Sequence, residues 1–84
     1  MSVDWSAIGQ KLKVMRLNER RTQGVVAEKA GVTQATVSKL EAGGMAVSID
    51  ALEGIAKASG GRVILDVVPE GRGPVVGVQQ GEEW

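Results

Sequence analysis

Residues 22–42, TQGVVAEKAGVTQATVSKLEA, decide the fold of this chain. They read as two short helices joined by a tight turn. The first starts near Thr22, whose hydroxyl suits an N-cap, and ends by Ala30, with Val26, Ala27 and Ala30 on one face. Gly31 follows, where a helix usually stops with a left-handed residue. Thr33 caps the second helix, which runs through about Ala42 with Val37 and Leu40 inward. Two helices that cross steeply need a small residue at the crossing, and Ala27 meets that need. Val32, Val37 and Leu40 then lock the second helix against a core. Its other face, Thr33, Gln34, Ala35, Thr36, Ser38 and Lys39, is polar, short and free of acids until Glu41.

Upstream, residues 4–20 read as a helix capped by Asp4, with Ile8, Leu12 and Met15 on one apolar stripe. Gly9 is a mild cost there, on the order of 1 kcal/mol against alanine. Downstream, Ser48 caps a fourth helix through about Ser59, with Leu52, Ile55 and Ala56 inward and Gly60-Gly61 at its end. The period then changes. Residues 62–68, RVILDVV, are rich in β-branched side chains between Gly61 and Pro69, the pattern of a strand. One strand has no partner within such a domain. Pairing with the same strand of a second copy would satisfy its edges and bury Val63, Leu65 and Val67 against the fourth helix; the alternative is a strand folded back onto its own domain. Residues 69–84 hold both prolines and end in Glu-Glu-Trp, a composition expected to form a flexible tail. The expected architecture is an all-α domain of four helices over residues 1–61, a dimerising β-strand over 62–68, and a tail over 69–84.

Composition narrows the function. The 84 residues include no cysteine and no histidine, so thiolate metal sites, disulfides and the usual general base near neutral pH are all absent. An enzyme is not expected, nor a metal or cofactor. No apolar run approaches the ~20 residues of a membrane span, and the start lacks the pattern of a signal peptide, so a cytoplasmic protein is expected. Ten bases balance ten acids, yet the balance is uneven along the chain. Lys11, Lys13, Arg16, Arg20, Arg21, Lys29 and Lys39 face only Glu19 and Glu28 between positions 11 and 39, a local charge of +5. The compensating acids lie mostly downstream.

Over roughly residues 7–60 the chain resembles the Cro/repressor (xenobiotic-response-element) family of helix-turn-helix DNA-binding proteins. Thr22-Gln23, Ala27, Gly31, Val32, Val37-Ser38, Leu40-Glu41 and Gly43 carry the resemblance. Gly9, the pair Gly24-Val25 and a Gly43–Val47 loop without proline depart from the family pattern. The resemblance implies that the second helix of the pair enters the major groove. Gln34 and Ala35 would then meet base edges, with Thr33, Ser38 and Lys39 as further contacts. Gln23 and Thr36 would sit at phosphates. Arg16 would hold a phosphate or brace the fold through Glu19 or Glu41.

The strand and the Glu-Trp ending narrow the resemblance to HipB-type antitoxins. It implies a homodimeric repressor on a palindromic operator in its own promoter, bound also to a HipA-like serine/threonine kinase toxin. Trp84, in a tail with no core to enter, would dock in that partner or mark the tail for proteolysis. A stand-alone or phage-type regulator without a toxin is the alternative.

Overall fold

The computed structural model describes residues 3–69. They form four helices in the order α1 (Trp5–Asn18), α2 (Gln23–Ala30), α3 (Gln34–Glu41) and α4 (Ile49–Ser59). Each starts at the cap expected from sequence. The side chains of Asp4, Thr22, Thr33 and Ser48 accept from the backbone N–H of Ala7, Val25, Thr36 and Ala51, at 3.0–3.1 Å. Each cap answers one of the amides that a helix start leaves unpaired, an effect of about 1 kcal/mol.

The helices also share one way of stopping. In each, a residue one or two positions past the end takes a left-handed conformation and two backbone bonds close back over the last turn. Gly31 does this for α2 at φ 72°, sending its own N–H to Glu28 and that of Val32 to Ala27. At the end of α1 the position falls to Arg20, the one non-glycine residue with positive φ among those described (58°), with Arg20 N–H bonded to Leu17 and Arg21 N–H to Arg16. The helix therefore ends at Asn18 rather than running to 20.

Helix α2 packs against α3 and α4, and α1 packs against the same two. Leu12, Val26, Ala27, Val37, Leu40, Leu52, Ile55, Ala56 and Ala58 form the core, with Ile8, Met15, Val32 and Val63 against its rim. Ala27 is buried, as a small residue at a helix crossing should be.

Gly9 is more than the mild helix penalty expected from sequence. Its bare Cα faces the last turn of α3, and a methyl group there would overlap the Leu40 carbonyl oxygen and stand 2.9 Å from that of Glu41. The glycine lets α1 lie directly on the α3 backbone.

The expected strand is not formed in the single chain. Residues 61–69 run without regular structure. Val63 is half-buried at the rim of the core, but Leu65 is 71% exposed and Val67 87% in the single chain; their burial against α4 is expected only of two paired copies. The strand is absent for an elementary reason: a ladder needs a second extended edge, and among the described residues no other extended segment is hydrogen-bonded to this one. Beyond Pro69 the tail, including Trp84, lies outside the described residues.

Candidate nucleic-acid interface

Helix α3 carries the candidate face. Its helical period places Val37 and Leu40 in the core and turns Gln34, Ala35, Ser38 and Lys39 to the outside, where all four are exposed together with the cap residue Thr33. The Thr33 hydroxyl is already engaged. It accepts the Thr36 N–H at 3.1 Å and lies 2.9 Å from the Thr36 hydroxyl. The two threonines therefore fix the first turn of α3 and leave Gln34 and Ala35 as its outermost side chains. Thr36 is half-buried beside them.

A buried ion pair holds this helix in place. Arg16 of α1 donates from Nε to Glu41 Oε2 at 2.7 Å and from Nη2 to Oε1 at 3.0 Å, a bidentate match of guanidinium to carboxylate. Its remaining Nη1 donates to the Arg21 carbonyl at 2.8 Å. With side chains 9% and 2% exposed, the two charges face each other rather than solvent. Of the two roles open to Arg16 from sequence, phosphate contact and brace, the geometry is that of the brace, and Glu41 rather than Glu19 is the partner.

Gln23, the first residue of α2, belongs to the same network. Its Nε2 donates to Glu41 Oε1 at 3.1 Å, so one carboxylate joins α1, the start of α2 and the end of α3. The backbone N–H of Gln23 and its side-chain oxygen are left for another partner. Sequence reasoning missed this link, because 18 positions separate the two residues and neither forms a local pattern with the other.

The surface charge is likewise redistributed. Arg21 donates to the Ala58 carbonyl at 2.6 Å, near the C-terminus of α4, where a cation also meets the negative end of the helix dipole. Of the seven bases between positions 11 and 39, Arg16 and Arg21 are thus tied into the fold, and Lys11, Lys13, Arg20, Lys29 and Lys39 remain exposed. Among the described residues no group of acidic side chains is placed to hold a metal ion, and no helix is long and apolar enough to cross a membrane.

Comparison with known proteins agrees with this geometry. A family model described as a helix-turn-helix domain matches residues 7–61. The crystal structure of the clp gene regulator ClgR from Corynebacterium glutamicum superposes with a TM-score of 0.67 at 28% identity, over 73% of this chain and 65% of that one. The chain therefore corresponds to somewhat less than two thirds of the regulator's length. No curated protein matches significantly.

Proposed function

We propose that this chain, which belongs to the helix-turn-helix domain family, is a sequence-specific DNA-binding transcriptional repressor. The observation that carries the proposal is the exposed row Gln34, Ala35, Ser38 and Lys39 on a helix locked from behind by Val37, Leu40 and Glu41. In a major groove, Gln34 offers both a donor and an acceptor to adenine, Lys39 a donor to guanine, and Ala35 a methyl contact to thymine. Gln23 supports the phosphate side, with its free N–H at the positive end of α2. The chain itself does no chemistry.

One such face makes few contacts, and a dimer doubles them on half-sites about one turn of DNA apart. Residues 62–68 support that arrangement. They carry Ile64, Leu65 and Val67 largely exposed and an edge that a second copy could complete. Val63, Leu65 and Val67 would line one side of the shared ribbon. The modest basic surface then acts twice, and operator affinity falls with added salt.

The finer reading is that of a HipB-like antitoxin that represses its own operon and holds a HipA-like kinase, with Trp84 as a docking residue. The architecture of a helix-turn-helix domain followed by an apolar segment supports it. The likeness to a clp gene regulator favours the second reading, a stand-alone regulator without a toxin.

Two experiments test these proposals. Gln34→Ala should weaken operator binding by about 1–3 kcal/mol while leaving non-specific binding nearly unchanged, and Lys39→Ala should weaken both, because it also removes a charge from the face; unchanged operator affinity in both would remove the DNA-reading face. Purification of the chain from its own cells decides the finer question. A kinase-like protein retained in fixed ratio supports the antitoxin, and a partner-free dimer that represses normally sinks it.

A further inference from the structure

We propose that Gly24 determines specificity, because its bare backbone is the floor on which the Gln34 carboxamide lies. The inference rests on the reading above in which Gln34 meets a base edge. Gly24 is the second residue of α2 and Gln34 the first of α3. A Cβ at Gly24 would stand 3.6 Å from Gln34 Oε1 and 3.8 Å from the Thr22 hydroxyl, ordinary contact distances. The carboxamide oxygen therefore lies beside the first turn of α2, at ordinary contact distance from where a methyl group on Gly24 would stand.

Neither backbone conformation nor backbone crowding calls for a glycine there. Its φ is not positive, unlike those of Gly31, Gly43 and Gly60. No backbone crowds it, unlike Gly9. Glycine inside a helix is otherwise unfavourable. What it supplies is an open surface beside an exposed glutamine that has no side-chain hydrogen bond among the described residues. Gln23 next to it is tied to Glu41, and the Gln34 side-chain atom that comes near α2 is the Oε1 above Gly24. A longer side chain at 24 would take the volume that the carboxamide occupies and push it off the base it reads.

The test uses the full chain and an operator selected by it from a randomised duplex pool. Relative affinities are measured over all single-base-pair variants of that operator and over random duplex. Gly24→Ala should keep the preference profile within about twofold, because a methyl fits. Gly24→Leu and Gly24→Met, both helix-favouring, should lose discrimination on the order of tenfold at the same base pair that Gln34→Ala flattens. Their affinity for random duplex and thermal midpoint should hold, and Gly24→Leu combined with Gln34→Ala should be no worse than Gln34→Ala alone. Full discrimination retained by both long side chains, or losses that add to that of Gln34→Ala, overturn the proposal. If Gln34→Ala flattens no position, the base-reading role of Gln34 fails, and the role of Gly24 fails with it.

Discussion

Arg16 and Glu41, 25 positions apart, face each other in the interior with two parallel hydrogen bonds of 2.7 and 3.0 Å. The pair fastens the last turn of α1 to the last residue of the helix that carries the candidate reading face. Removing one partner leaves the other charge buried alone. Arg16→Ala or Glu41→Ala should therefore cost about 3–5 kcal/mol in denaturant unfolding. Replacing both by apolar residues of similar volume, Arg16→Met with Glu41→Leu, should recover part of that loss, the Gln23 amide and the Arg21 carbonyl then lacking their partners. Single variants within 1 kcal/mol of the parent would show that solvent reaches the pair.

Gly9→Ala sets two effects against each other. Helix propensity alone predicts a gain of about 1 kcal/mol. The collision with the Leu40 carbonyl predicts a loss of about 1–3 kcal/mol, because α1 must lift off α3. The close approach should win, and a lowered thermal midpoint checks it.

Arg20→Gly should work in the opposite direction. The left-handed conformation at 20 disfavours a residue with a Cβ by about 1–2 kcal/mol, and glycine relieves this at some cost in chain entropy. A net gain of about 0.5–1 kcal/mol in unfolding free energy is expected. A loss would mean that the Arg20 side chain holds a contact worth more than the strain.

Much of this architecture is legible in the sequence because its signals are local. Asp4, Thr22, Thr33 and Ser48 each sit three positions before the amide they cap, and Gly31, Gly43 and Gly60 each follow the helix they close. The face of α3 is legible for the same reason, since the inward spacing of Val37 and Leu40 assigns Gln34, Ala35, Ser38 and Lys39 to the outside. The remainder depends on contacts across the chain. Gly9 looks like a defect until Leu40 is placed opposite it. Arg16 has two acids within plausible reach, and only the packing of α1 on α3 selects Glu41. Arg20 carries no sequence mark of a helix end. Val63–Val68 has the composition of a strand, but a strand exists only with a neighbour, and a single chain holds none for it among the described residues.

Leu65→Asp tests the proposed ribbon with little risk to the fold. The side chain is largely exposed in the single chain, so stability of the monomer should change by no more than about 0.5 kcal/mol. Sedimentation should nevertheless show a shift from dimer to monomer, and operator binding should weaken with it. A variant that stays dimeric places the dimer contact elsewhere.

The exposed segment after α4 has a further consequence for how the protein behaves at high concentration. Val63-Ile64-Leu65-Asp66-Val67-Val68 combines β-branched bulk, almost no charge and an open edge, the composition that seeds stacked aggregates. Asp66 is the single charge within it, while Arg62 and Pro69 stand at its borders, the positions where gatekeeping residues interrupt such runs. Orderly pairing and uncontrolled stacking draw on the same edge. Were that edge to pair with a second copy, the same pairing could continue into a stack, and Asp66 is the one carboxylate inside the run that opposes it.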